Sequence, residues 1–149
     1  MNAGEACNRE VVIVNGDAPL LEAARLMREH HVGDVVLVEE GPQGRVPVGI
    51  VTDRDLVVEV LAAGIDPATL AVRDVVTNAL VTALEQEPFE DVVKRMRRHG
   101  VRRVPVVNRR GTLEGILALD DIVELLSETL SDLAFAVNKE QRKERELRP

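Results

Sequence analysis

The chain has 149 residues, of which 45% are hydrophobic, and a formal net charge of −7. That length suits one compact domain, or two half-sized units that share a core. Phe89 and Phe135 are the only aromatics, and acid outweighs base. This disfavours a protein that stacks nucleic-acid bases on aromatic rings or neutralises a phosphate backbone. Cys7 is the sole cysteine, so no intramolecular disulfide can form, which fits a reducing cytosol. No apolar stretch approaches the roughly 20 residues of a membrane span, and the first residues lack the basic and apolar regions of a secretory signal. A soluble, cytoplasmic protein is expected.

In chain order, Val11 to Val14 is a continuous β-branched run that predicts a buried strand. Asp17 offers an N-cap, with Pro19 near the first helical turn. Leu20, Ala23, Ala24, Met27 and His31 then share one helical face. Val35 to Val38 and Val46 to Val51 predict two further strands across a Gly-containing turn. A second helix starts near Asp53 and ends before Gly64, and Gly64-Ile65-Asp66-Pro67 is a break.

The same order then returns. Pro19, Met27, Arg28, His30, Val32, Val35 and Val38 recur 69 positions later as Pro88, Met96, Arg97, His99, Val101, Val104 and Val107. After a shorter loop, Gly49, Ile50 and Asp55 recur 66 positions later as Gly115, Ile116 and Asp121. The helical face repeats as Phe89, Val92, Val93, Met96 and Gly100, and the strands as Val104 to Val107 and Leu113 to Leu117. A duplicated unit too short to bury its own core packs against its twin, and the cleft between twins is a natural ligand site. The expected architecture is α/β (α+β), two pseudo-symmetric β-α-β-β-α repeats packed through their sheets. The expected boundaries are residues 1–68 for the first repeat and 69–137 for the second with its extended C-terminal helix. Residues 138–149 form a charged tail.

The last helix outruns its counterpart. Ile122, Leu126, Leu130, Leu133 and Val137 continue an apolar stripe at helical spacing. Two readings stand side by side: packing against the domain's own core, or a partner helix in a homo-oligomer.

Gly49-Ile50-Val51-Thr52-Asp53-Arg54-Asp55 lies where a strand passes into a helix. Such a helix start can receive a phosphate, Thr52 adds a hydroxyl donor, and Asp55 can accept bonds from two ribose hydroxyls. Thr and Asp at a helix start are also ordinary caps. The second copy, Gly115-Ile116-Leu117-Ala118-Leu119-Asp120-Asp121, keeps the Gly and the final Asp but lacks the hydroxyl. A cap alone is not expected to hold Asp at that later position in both copies. No metal site is expected. His30 and His99 share a repeat position at a helix end, where the dipole favours a cation, and Cys7 stands apart from both. No Ser–His–Asp order or paired-carboxylate spacing marks a catalytic centre.

With these residues in place, the chain resembles the cystathionine-β-synthase (CBS) domain pair, or Bateman module, from about Val11 to Leu126. The Gly49-to-Asp55 pattern is similar to that family's nucleotide-binding signature. Val101-Arg102-Arg103-Val104-Pro105-Val106-Val107 resembles its second strand, and Val75-Val76-Thr77 with Leu80-Val81-Thr82 resembles its lead-in. Thr52-Asp53-Arg54-Asp55 followed by Ala62 to Pro67 is similar to stand-alone pairs without a catalytic domain.

The resemblance implies a non-enzymatic regulatory module that binds an adenosine nucleotide between its repeats and signals by conformational or oligomeric change. No cofactor is required. The implied ligand is AMP, ADP or ATP, with NAD and S-adenosylmethionine as alternatives, and the implied assembly is a homodimer acting on an unknown protein partner. Carried over by position, a first site would use Ile50, Val51, Thr52, Asp53, Arg54 and Asp55, with Val81 beside the base and Arg102 and Arg103 near the phosphates. A second, weaker site would use Ile116, Ala118, Asp120 and Asp121 with Val12 and Arg54. There Gly33 and Asp34 match the two arginines, so a like charge opposes phosphate. The alternative function is a structural dimerisation module whose ligand sites have degenerated.

Overall fold

The computed structural model describes residues 1–76 and 78–148. Thr77, part of the expected lead-in, and Pro149, the end of the expected tail, lie outside them. The chain divides into two compact units, Met1–Leu117 and Ala118–Pro149. The first holds two three-stranded sheets, ordered β1-β2-β3 and β4-β5-β6.

Sheet one joins β1 (Ile13–Asn15), β2 (Asp34–Gly41) and β3 (Gly44–Thr52). β1 runs parallel to β2, which needs a crossover, supplied by α2 (Leu20–His30). β2 and β3 form an antiparallel hairpin with a register shift at Leu37/Val38. Sheet two repeats this with β4 (Ala83–Leu84), α4 (Phe89–His99), β5 (Arg103–Val107) and β6 (Leu113–Ala118), and β4 is again parallel to β5. Two pseudo-symmetric α/β repeats are therefore present, as the internal repetition implies.

Strand alternation divides Val35–Val38 between two cores. Val35 and Leu37 face Leu20, Ala23, Met27, Val51 and Val60 inside repeat one. Val36 and Val38 instead pack with Ile116 of repeat two, joined by Ile13, Ile50 and Leu113. This second cluster is the face through which the two sheets meet.

Several expectations shift locally. Asp17 does not cap α2: the N-cap is Pro19, with no side-chain bond, and Asp17 pairs with Arg73. The Leu20 amide is satisfied instead by the Leu70 carbonyl, 2.9 Å away. His31 leaves the buried face because it ends α2 in the left-handed region at φ 54°, as Gly100 ends α4 at φ 64°. The second helix begins as α3 (Asp53–Asp55) and widens into a π-helical turn over Leu56–Leu61.

The segments preceding the repeats change places. Residues before repeat two hydrogen-bond to repeat one, through Arg73 N to Gly16 O at 3.1 Å, Val72 N to Ala18 O at 2.9 Å and Leu20 N to Leu70 O. The first residues of the chain do the same to repeat two. Gly4 N bonds to Glu85 O at 2.9 Å, Ala3 N to Glu87 O at 2.8 Å, and Phe89 N to Met1 O at 3.2 Å. Each bond in one set is its counterpart in the other displaced by 69 residues. A short helix, α1 (Ala3–Ala6), carries this contact, and Ala3 and its counterpart Val72 are both fully buried.

The second unit, described by itself, contains α5 (Leu119–Leu147). Ile122 is buried, whereas Leu126, Leu130, Leu133 and Val137 are exposed. The stripe is therefore not core along its length. The helix also runs on through the charged segment to Leu147. Among the described residues no helix is long and apolar enough to cross a membrane.

Candidate functional site

The exchanged segments explain the repeated glycines. A methyl group added at Gly49 would lie 2.7 Å from Val76 Cγ1, and one at Gly115 would lie 2.5 Å from Cys7 Sγ and 2.7 Å from Asn8 O. Val76 and Cys7 are themselves repeat counterparts, 69 residues apart. Both glycines therefore admit a crossing chain, and neither turns the backbone sharply. Asn8 and Ile116 then exchange two backbone bonds of 2.9 Å, extending the contact along β6. Burial pushes the Cys7 thiol pKa above its usual range, against the lowering pull of Arg9.

At the end of β3, Thr52 and Asp55 bind each other reciprocally. The Asp55 amide donates to Thr52 Oγ1 at 3.1 Å, and the Thr52 amide donates to Asp55 Oδ2 at 2.9 Å. This is a capping box. It gives Asp55 a structural reason in the first copy, but a cap does not account for Asp121 in the second, where no hydroxyl precedes it. The box does not exhaust the pair. The Thr52 hydroxyl accepts in this bond and keeps its proton to donate, and Asp55 uses one carboxylate oxygen of two. Ala118, the counterpart of Thr52, begins α5 without a side-chain cap.

Asp53 and Arg103 converge over Gly33. A methyl group at Gly33 would lie 3.3 Å from both Arg103 Nη2 and Asp53 Oδ2, and the Asp53 amide donates to the Gly33 carbonyl at 3.0 Å. Arg103 Nε is engaged with the Asp34 carboxylate. The acid expected to oppose phosphate and the base expected to bind it thus neutralise each other here. Arg102 is exposed immediately before the same strand, and Val81 is half-buried before β4.

Arg95 was not legible as a site residue. It binds Glu87 through two contacts, at 2.6 and 3.3 Å, and reaches the Thr82 carbonyl at 2.8 Å, next to Val81. Its only signal is comparative: repeat one has Leu26 at the matching position. Leu26 lines an open cleft of about 650 Å³ with Val11, Val12, His30 and Val32.

The remaining expected residues divide. Ile50 and Ile116, counterparts in the two repeats, both contribute to the core between the sheets. Val51 is fully buried inside repeat one. Arg54 is exposed, its amide bonded to its neighbour Asp53 at 2.8 Å. Asp120 and Asp121 occupy the exposed first turn of α5. Among the described residues, no three of His, Cys, Asp or Glu gather as metal ligands.

A tandem repeat with exchanged lead-in segments and a capped strand-to-helix turn defines a paired α/β module. Known proteins specify it further. The CBS domain matches this chain twice, over residues 3–62 and 72–128, and the chain belongs to that family. A protein of Methanopyrus kandleri is 35% identical over 125 residues, which are 84% of this chain and 62% of that protein's length. The hexameric CBS-CP12 protein from bloom-forming cyanobacteria shares 30% identity, with a TM-score of 0.73, covering 83% of this chain and 69% of that one. A CBS domain protein from Pyrobaculum aerophilum, solved in complex with AMP, shares 28% identity at a TM-score of 0.73 over 85% of this chain and 99% of its own.

Proposed function

We propose that the chain is a non-enzymatic regulatory module that binds an adenosine nucleotide, AMP, ADP or ATP, at the Thr52–Asp55 turn. One observation carries the reading: the capping box leaves a hydroxyl proton and a carboxylate oxygen at the start of a helix, facing the chemistry of a phosphate and a ribose. The AMP complex of the Pyrobaculum relative supports the ligand class. Arg103 would supply the phosphate charge once it leaves Asp34, and Val81 would sit beside the base. NAD and S-adenosylmethionine test the same adenosine chemistry. The module would act as a homodimer in the cytoplasm, where a lone, partly buried Cys7 is at ease. Ligand alters its state only through differential affinity for two conformations.

The uncapped Ala118 and the occupied Arg103 favour a second reading, a dimerisation module whose ligand sites have decayed. Thermal unfolding with AMP, ADP, ATP, NAD and S-adenosylmethionine separates the two. Ligand at 100 times its dissociation constant stabilises by about 2.7 kcal/mol, so an adenosine ligand raises the melting temperature under the first reading. Under the second, no adenosine compound does. Turnover of a nucleotide by the pure protein would contradict both.

A further inference from the structure

α5 presents an apolar seam that is separate from its buried residue. Val123, Leu126, Leu130, Leu133 and Val137 alternate in steps of three and four, the a/d pattern of a two-helix coiled coil. All five are between 47% and 67% exposed, whereas Ile122 beside them is 3% exposed. The positions flanking the seam, Ser127, Thr129, Ala134 and Ala136, are small, so a second helix can approach closely.

Charge selects that second helix and its direction. From Asp120 to Asp132 the helix carries five acids (Asp120, Asp121, Glu124, Glu128, Asp132) and no base. From Lys139 to Arg148 there are five bases against three acids. Two such helices in parallel would set acid against acid along the first half. Antiparallel, each acidic half lies beside a basic half. With Leu130 level with Leu133 of the partner subunit, Asp121 stands level with Arg142 of the partner subunit and Glu124 with Lys139 of the partner subunit. These charges lie on the outer faces of the pair, so they favour the antiparallel direction as opposed fields and not as contact pairs. In that register the seam is apolar from Leu126, which meets Val137 of the partner subunit, through Leu130 and Leu133, and at each end Val123 stands level with Glu140 of the partner subunit. We propose that α5 pairs antiparallel with α5 of a second copy of this chain. The inference rests on the self-association in the reading above and requires no nucleotide.

Disulfide trapping tests it in a Cys7→Ser background, without ligand. Chains carrying Leu126→Cys and Val137→Cys are co-expressed and mildly oxidised. The expected result is a predominantly mixed, disulfide-linked pair, with each variant alone remaining mostly unlinked. Adding Leu130→Asp and Leu133→Asp to both chains should reduce the mixed product at least tenfold, while circular dichroism reports an intact fold. Self-linking of Val137→Cys alone would indicate a parallel pair and overturn the proposal. A statistical mixture, or no linkage in any combination, would overturn it as well. Because the nucleotide-dependent melting shift is a separate readout, failure here is distinguishable from failure of the ligand assignment.

Discussion

Arg103 and Asp34 occupy the same place in their respective repeats, 69 residues apart, and bind each other. The ion pair therefore sits where the internal symmetry brings counterparts face to face. Both side chains are mostly buried, at 26% and 18% exposure, so the contact is more than a surface pairing. It also competes for the arginine that a phosphate would need.

That competition predicts the sign of a substitution. Asp34→Asn should release Arg103 and tighten AMP binding by about five-fold, the equivalent of ~1 kcal/mol. Arg103→Ala should weaken it by about tenfold or more, the worth of one charge-assisted hydrogen bond. Isothermal titration calorimetry checks both. An unchanged affinity in Asp34→Asn would mean that Arg103 never turns to the ligand.

The crossing chains predict overpacking at the two glycines. Gly49→Ala and Gly115→Ala should each destabilise by about 1–3 kcal/mol in chemical denaturation. Rescue should differ between them. The close atoms at Gly49 belong to the Val76 side chain, so Val76→Ala should restore Gly49→Ala. At Gly115 the Asn8 carbonyl stays 2.7 Å away, so Cys7→Ala should restore only part of the loss.

Removing residues 1–8 should loosen repeat two selectively. Five backbone bonds go with the segment: those of Ala3, Gly4 and Phe89 and the two between Asn8 and Ile116. At about 0.5–1.5 kcal/mol each, with the burial of Ala3 added, the loss amounts to about 3 kcal/mol or more. Hydrogen exchange should accelerate at Phe89 and Ile116 more than at Leu20 and Val36. Uniform acceleration across both repeats would argue against a local clasp.

The fold was legible where it depended on repetition and period. The 69-residue offset and the apolar strand runs were enough to anticipate two α/β repeats meeting through their sheets. The exchange of lead-in segments was not, because nothing local in Ala3-Gly4-Glu5 says which repeat it joins. For the same reason Asp17 looked like a cap, while the donor at Leu20 is satisfied by a carbonyl 50 residues away at Leu70. At the site, Thr52 and Asp55 were readable from their spacing. The meeting of Asp34 with Arg103 emerges only when the two repeats are set against each other.

Cys7 gives a dependence on pH. Its pKa is raised in the folded protein from an ordinary value of 9.0, so the fold holds its proton more tightly than the unfolded chain. This contribution to stability is fully present below pH 9 and is lost as pH rises beyond it. Between pH 8 and 10.5 the melting temperature should fall less for Cys7→Ala than for the native chain. Equal slopes would show that the thiol is not desolvated.

Thr52→Ala should cost about 1 kcal/mol of stability, the usual worth of an N-cap, and should also weaken AMP binding. Thr52→Ser keeps the hydroxyl and should spare both. Loss of stability with unaltered binding would confine Thr52 to its role in the cap.

Binding of an adenosine nucleotide at the Thr52–Asp55 turn is tested by titrating AMP calorimetrically into the native chain, Asp55→Asn and Asp121→Asn. Asn at position 55 retains an oxygen for the Thr52 amide, so the capping contact survives while the carboxylate is lost. The prediction is saturable binding to the native chain, its loss in Asp55→Asn and its near-complete retention in Asp121→Asn. Full binding in Asp55→Asn, or loss confined to Asp121→Asn, would mean that the nucleotide does not bind at the Thr52–Asp55 turn.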